Sequence, residues 1–546
     1  MASEAREPKR GTGRADLGTP EQSGLKGFFL TLVILFFILG IFFRVYGVGA
    51  RNLWTDEAWV ALAATQPTPA AALAGGKSTP PFYLLAVWGL VRLFGASETV
   101  LRLTSVLLGI GSLVLFWPLA RGLLPPWPAL AALALVSVSH RLVYFSKELK
   151  QYSADVFFAV LAFLLVERQL RRGGQGGWVL FTVSLAIGLG FSYPLVFLLP
   201  VAAGVLWWQL PLARRAVAGS FGTLALVFLI YYVTLFRGQV DRELLIYWQA
   251  DFPDFSGVGP FFTWLGSAWW RFGRYFFADW RVLPGAVLVC LGLIATARQG
   301  RARIIWYFFG PLLLALAAAG AQRYPFMGHA GGVRLMMFAA PMLYLATGAG
   351  IGAVGGWLWQ STTREEAGPA AGGQEDNRPK KWLAGRSGAT VLLSLYLLAV
   401  FLWLRPVFLW QENLRPEMNR EEIVPLVRYL EAHRRPGDAV YLYYFAIDPF
   451  MFYYQGPLSD IIWGQSCHDC GLPLPAARLA QIQRLWLIFS HFETEADVDR
   501  FIANLLGEGW IQELSLAQPG ALLRRYRPPW AAPDARTGDL RSSVPE

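Results

Sequence analysis

The chain has 546 residues, of which 55% are hydrophobic, 15% aromatic and only 16% charged, with a net charge of +11 and a mean hydropathy of +0.40. A soluble globular chain carries roughly 25% charged residues, so the composition argues against a water-soluble protein. Apolar runs of about 17–25 residues, the length a helix needs to cross a bilayer, recur over the first three quarters of the chain.

The chain therefore reads as a polytopic helical membrane protein. Its positive charge then marks cytoplasmic loops, not nucleic-acid binding. Residues 1–26 form a polar tail with Arg6, Lys9, Arg10, Arg14 and Lys26. No small-residue cleavage site follows the first apolar run, so that run is expected as a retained first span. Spans are expected at 28–46, 99–120, 127–145, 153–167, 178–192, 194–211, 217–236, 282–297, 304–320, 334–357 and 388–405. The stretches 81–94 and 263–278 are short or carry Arg92, Arg271 and Arg274, and are expected to lie along the interface.

Charge sets the orientation. With the tail inside, Arg121, Arg168, Arg171, Arg172, Arg214, Arg215, Arg298, Arg301, Arg303, Arg378, Lys380, Lys381 and Arg386 all fall in cytoplasmic loops. Counting 81–94 as a full span would invert most of them. The expectation is eleven spans, N-terminus inside and C-terminus outside. Segments 47–98, 144–153, 237–281 and 321–334 then face outward. Segment 359–387, without apolar period, reads as a flexible cytoplasmic loop.

From about 406 the character changes. Residues 421–435 have helical spacing, 439–444 read as a strand, 449–454 as a helix, 484–489 as a strand, 495–506 as a helix and 521–526 as a strand. Alternating strands and helices predict a small extracytoplasmic α/β domain over 406–546, beside a transmembrane part over 27–405. Three cysteines do not make a disulfide scaffold. Cys290, inside an apolar run, is expected in the core. Cys467 and Cys470 are read as a local disulfide, with free thiols or a zinc site as alternatives.

Four outward segments hold residues suited to chemistry. Trp54-Thr55-Asp56-Glu57-Ala58-Trp59 places two carboxylates between tryptophans, which favour the membrane interface. The same pattern fits an ordinary helix start, with Thr55 as cap. Thr79-Pro80-Pro81-Phe82-Tyr83 fixes an extended entry into an interfacial segment, or is simply a turn. Segment 145–155 joins two spans with almost no loop and carries Lys147, Glu148, Lys150, Tyr152 and Asp155, with His140 and Arg141 in the preceding span. If helical, it sets Glu148, Tyr152 and Asp155 on one face; the charges also fit snorkelling. Segment 322–334 is Gly-rich and holds Arg323, Tyr324, His329 and Arg334, suited to a phosphate or a lipid headgroup. A carboxylate acts as base towards a hydroxyl, and cations stabilise charge developing on a phosphate. Together these fit transfer of a group from a lipid phosphate.

On these residues the chain resembles the bacterial integral-membrane glycosyltransferases of the GT-C fold. It is similar in particular to the glycosyltransferase family 39 and RgtA/B/C/D-like group, relatives of protein O-mannosyltransferases and the lipid A aminoarabinose transferase. The resemblance covers about 25–405 and rests on Asp56-Glu57, Thr79-Pro80-Pro81-Phe82-Tyr83, Ser146 to Tyr152, Tyr324-Pro325 and Arg334. Two departures stand out. Thr79 replaces a His before the double Pro, and Lys150 replaces an Arg, keeping the charge but losing the bidentate fork.

The resemblance implies a sugar on polyprenyl phosphate as donor, transferred with inversion to an acceptor hydroxyl on a glycolipid, polysaccharide or protein. It implies Asp56 as general base with Glu57 beside it. Lys150, Arg334 and Arg323 are then candidates for the phosphate, and Tyr83, Glu148, Tyr152, Asp155 and His329 for positioning substrates. Relatives differ in metal use. Glu57, Glu148 and Asp155 offer oxygens for a divalent cation, but no obligatory metal is expected. The expected location is the bacterial plasma membrane, with the site and C-terminal domain extracytoplasmic. The competing readings are a transporter or flippase for a lipid-linked sugar and a non-catalytic membrane scaffold.

Overall fold

A computed structural model describes residues 20–76, 78–237, 247–278, 281–328, 332–364, 421–465 and 473–531, with residues 395, 396 and 400 between. Helices make up the first part: α1 (Pro20–Val45), α2 (Thr55–Ala64), α3 (Pro69–Gly75), α4 (Pro81–Phe94), α5 (Glu98–Leu123), α6 (Pro126–Val138), α7 (His140–Ser146) and α8 (Tyr152–Arg172). There follow α9 (Gln175–Phe191), α10 (Leu195–Gln209), α11 (Arg214–Tyr231), α12 (Val258–Phe277), α13 (Val282–Arg298), α14 (Arg303–Gly320) and, after a 3₁₀ segment at Gly332–Ala339, α15 (Ala340–Arg364).

Among the described residues, five helices are long and apolar enough to cross a membrane, and seven if each bent pair counts as one span. Helices α4, α9 and α10 are apolar but shorter. Each expected span up to 357 falls on helical residues, while the one at 388–405 lies largely outside the described residues. The expected interfacial stretches are α4, fourteen residues long, and α12, which meets α13 at 94°.

The expected span at 127–145 is broken. Helix α6 ends at Ser139, whose ψ of 118° leaves the helical region, and α7 departs at 49°. A helix end leaves carbonyls without partners. Arg44 of α1 supplies them, donating to Val136 O at 3.0 Å and Ser137 O at 2.9 Å from a buried position. Cys290 is exposed on α13, not in the core: it sits on the outward stripe of that helix with Leu283, Val287, Leu291 and Ile294, the side left for lipid.

The C-terminal part is an α/β domain. It holds α16 (Val424–His433), β1 (Ala439–Leu442), α17 (Ile447–Tyr453), β2 (Ile461–Trp463), α18 (Ala476–Leu479), β3 (Leu485–Ser490), α19 (Glu495–Leu506), β4 (Ile511–Gln518) and β5 (Ala521–Arg527). The strands run in the order β2-β1-β3-β5-β4. Strand β1 is parallel to β2 and β3, while β5 is antiparallel to β3 and β4. Trp486 is buried on one side of the sheet with Leu430 and Phe450, and Leu487 on the other with Ile502. Thr494 and Asp497 form a capping box at the start of α19, which satisfies two otherwise orphaned N–H groups. Cys467 and Cys470 lie outside the described residues.

The two parts meet at α2. Asn52 donates to Glu422, Leu53 N–H to Tyr453 Oη at 2.9 Å, and Tyr453 Oη–H to Glu98 of α5 at 3.1 Å. Side chains of α17 thus reach the base of the first loop and the start of α5.

Candidate active site

The site is built where α2, the turn before α8, the 3₁₀ segment and the C-terminal domain converge. Trp54 takes the cap position of α2 with extended backbone and makes no side-chain cap bond. Thr55, expected as the cap, is instead the first helical residue. Its N–H donates to Glu421 Oε2 at 3.1 Å, and its Oγ1–H sits between that oxygen at 3.0 Å and Phe445 O at 2.7 Å. A carboxylate at a helix start satisfies an orphan donor and favours the macrodipole. Here it comes from residue 421, far along the chain.

The adjacent carboxylates then part. Glu57 is fully buried, and Arg102 of α5 grips it at 2.8 Å (Nε to Oε1) and 2.7 Å (NH2 to Oε2). Oε1 also accepts Leu149 N–H at 2.7 Å. Burial pushes this carboxyl up, and Arg102 and Arg51 outweigh it and hold it low. Both oxygens of Glu57 are occupied, so this expected catalytic residue fastens the loop to α5 and the turn before α8. Asp56 faces the other way. It keeps 23% side-chain exposure and meets Arg334 NH2 at 2.9 Å. Burial raises its pKa, but Lys150, Arg334 and His491 together hold it below the ordinary carboxylate value.

Segment 147–151 is a turn, and α8 begins only at Tyr152, so Glu148 does not share a helical face with Tyr152 and Asp155. The turn tightens through Lys150 N–H to Glu148 O at 2.8 Å and presents Leu149 N–H to Glu57. A continued helix would have kept that N–H for itself. Lys150 is buried, its ammonium 5.7 Å from the Trp59 ring centroid. Burial lowers its pKa, Asp56, Glu148 and Glu57 acting against this. Lys147 turns away and donates to Tyr46 O at 3.3 Å; burial and the neighbouring Arg51, Arg102 and Arg44 pull it down to about 8.

Arg334 lies 5.6 Å from the Trp54 ring centroid and 5.8 Å from that of Tyr152, and its buried Nε–H has no hydrogen-bond partner among the described residues. Cations over aromatic faces are held without spending their N–H donors. Tyr83 is completely buried and reaches Ser105 Oγ at 2.7 Å, which in turn donates to Lys150 O at 3.2 Å. Tyr83 thus supports the backbone of Lys150. Glu148 is buried, and its charge acts on Lys150, Arg334 and Tyr152. Asp155 is buried a turn below, near Ser192 and Tyr324. Arg323 is exposed in the turn that follows α14. His329 lies outside the described residues. Among the described residues, no group of three or more His, Cys, Asp or Glu is arranged to hold a metal ion.

Five contributors were not singled out in the sequence. Arg102 had a signal: an arginine inside an apolar run needs a partner. Arg51 stands 3.9 Å from Glu57 and had no pattern to mark it. Glu421, Asp448 and His491 belong to the C-terminal domain. His491 Nδ1 lies 2.6 Å from Glu421 Oε1, and its ring stacks on Trp54 at 5.9 Å. Asp448, on α17, is raised by burial and by Asp56 and lowered by Lys150.

Residues 78–236 match the family model described as dolichyl-phosphate-mannose-protein mannosyltransferase. The match takes in Tyr83, Arg102, Lys150, Tyr152 and Asp155; Asp56 and Arg334 lie outside it. Over those residues the match agrees with the resemblance to membrane glycosyltransferases drawn from the motifs. The chain is also similar to the oligosaccharyltransferase AglB of Archaeoglobus fulgidus in complex with an inhibitory peptide and a dolichol-phosphate. Identity there is 11%, over 92% of this chain and 74% of that one, with a TM-score of 0.48. It is similar as well to ArnT of Cupriavidus metallidurans bound to undecaprenyl phosphate, at 12% identity over 94% of this chain and all (100%) of that one, with a TM-score of 0.43. No curated protein matches it by sequence.

Proposed function

We propose that the protein transfers a sugar from a polyprenyl-phosphate donor to an acceptor hydroxyl, with inversion, on the extracytoplasmic side of the plasma membrane. The observation that carries this is the contrast within the acidic pair. Glu57 is sealed, while Asp56 remains partly exposed against Arg334 and beside Lys150. A base therefore stands next to two cations, and the Nε–H of Arg334 has no hydrogen-bond partner among the described residues. That is what cleavage of a glycosyl phosphate with attack by a hydroxyl requires.

In the reaction the acceptor oxygen attacks the anomeric carbon from the face opposite the phosphate. The bond from that carbon to the phosphate oxygen breaks, its electron pair leaving with the lipid phosphate. The hydroxyl proton passes to the Asp56 carboxylate. Arg334 and Lys150 take the charge on the departing phosphate. Without donor, both cations and His491 hold the Asp56 pKa down and leave it a weak base. A phosphate that draws Arg334 and Lys150 to itself relaxes that hold, so donor binding strengthens the base. Tyr83 and Glu148 keep Lys150 in place, and Tyr152 backs Arg334.

The side of the membrane is supported by charge. Arg301 donates to Leu123 O at 3.1 Å, so Arg121, Arg171, Arg301 and Arg303 gather at the end of α5 opposite Glu98, where Asp56 lies. Basic residues favour the cytoplasm, which supports an outward-facing site. The test is Asp56→Asn in membranes, with products read by mass spectrometry after incubation with a panel of polyprenyl-phosphate sugars. Loss of a general base lowers turnover about 100- to 10,000-fold. Undiminished transfer by a correctly inserted variant would end the role given to Asp56.

A further inference from the structure

We infer that Glu421 and His491 of the C-terminal domain are positioning residues for the base, so that this domain is part of the active site. The inference rests on the proposed role of Asp56.

Helix α2 has no side-chain cap of its own. Its first N–H and first hydroxyl are held by Glu421 Oε2 at 3.1 and 3.0 Å, and Thr55 Oγ1 lies 2.7 Å from Phe445 O. Thr55 is the residue before Asp56. Glu421 is itself fixed from the other side, because His491 Nδ1 reaches its second oxygen at 2.6 Å. The His491 ring stacks on Trp54 at 5.9 Å and packs 5.1 Å from Phe445. Trp54 in turn carries Arg334 over its ring at 5.6 Å. An unbroken series of contacts thus runs from the domain to Trp54 and Thr55, the two residues before Asp56, and to its cation.

The groups facing His491 are Glu421 from the segment before α16, Asp56 from α2 and Arg334 from the 3₁₀ segment. Those facing Asp56 are Lys150, Arg334 and His491, with Asp448 of α17 nearby. Protonated His491 adds positive charge beside Asp56, and burial of His491 is more than offset by Glu421. The pair therefore has two effects: it fixes where the carboxylate stands, and it helps keep that carboxylate ionised.

The experiment compares Glu421→Ala, His491→Ala and His491→Asn with Asp56→Asn and wild type in nanodiscs, reading kcat, donor KM and the pH profile. Misplacing a reacting group by about 1 Å costs about 100-fold in rate. Both alanine variants are expected to lose about 10- to 100-fold in kcat with a much smaller change in donor KM. His491→Asn keeps a donor for Glu421 without the charge. It is expected to recover most of kcat, yet its acid limb moves to higher pH, which a purely structural histidine would not cause. If Glu421→Ala fails to insert, the two His491 variants carry the test. Wild-type kcat and acid limb in these variants, beside an inactive Asp56→Asn, would overturn the positioning role alone. Activity in Asp56→Asn would overturn the base and this inference together.

Discussion

Replacing Arg102 by Met tests how the first loop is held. All five guanidinium N–H directions are used: two to Glu57, at 2.8 and 2.7 Å, and three to the carbonyls of Val48, Arg51 and Asn52, at 2.9, 2.9 and 3.2 Å. Neither Arg102 nor Glu57 has any solvent-exposed side chain. Met fills similar volume but leaves the carboxylate with Leu149 N–H and a distant Arg51 at 3.9 Å. Removing one member of a buried pair costs about 3–5 kcal/mol. A double replacement, Glu57→Leu with Arg102→Met, removes the stranded charge and should recover most of that loss. Reversible unfolding in mixed detergent and SDS micelles reads the four corners of the cycle. Additive single losses, or a cost for Arg102→Met below about 0.5 kcal/mol, would refute the claim that this pair fastens the loop.

Gly350→Ala should destabilise by about 1–3 kcal/mol in the same assay. Its Cβ would stand 1.9 Å from Leu288 O where α13 and α15 cross, and a carbonyl there has no room to withdraw. Glu167→Gln weakens the bonds that α8 makes to Arg303 NH2 at 2.9 Å and Tyr307 Oη at 3.0 Å, at the far end from Asp56. A loss of about 1–3 kcal/mol with kcat unchanged is expected, and a large kcat effect would contradict the separation. The acid limb of kcat/KM should lie below the usual Asp value of about 3.9, because the cations outweigh burial at Asp56. Lys150→Met should move that limb up and raise donor KM. His491 has a raised pKa, so its pairing with Glu421 stabilises the folded chain fully below about 6.5 and is lost as pH climbs through the folded value. Protection of Thr55 N–H from hydrogen exchange, corrected for intrinsic rate, should fall over that range.

What the sequence disclosed follows from how local each signal is. The helix at 495–506 is recovered residue for residue because Thr494 caps it and its apolar spacing is regular. Strands β1 and β3 are apolar runs, β5 opens on Ala521, Leu522 and Leu523, and all three stand within two residues of expectation. Strand β2 has three residues, too short to show alternation, and β4 is an edge strand whose Gln512, Glu513 and Ser515 hide its pattern. In the site, Asp56, Lys150 and Arg334 converge as their shared side of the membrane suggested. The division of labour between Asp56 and Glu57 was not legible, because it depends on Arg102 approaching from another helix. Nor was the break at Ser139, which the guanidinium of Arg44 makes tolerable. Periodicity along a chain carries no information about partners hundreds of residues away, and Glu421 and His491 are such partners.

The bond from Thr55 to Glu421 spans 366 positions. A ribosome adding about 5–20 residues per second needs roughly 20–70 s to cover that interval. During that time Glu421 is not yet there to hold the start of the helix that carries Asp56. On the proposed role of Asp56, the nascent polypeptide is therefore inserted well before it is competent, and competence waits for the segment that carries Glu421. A stalled or prematurely terminated product would occupy the bilayer without consuming lipid-linked sugar.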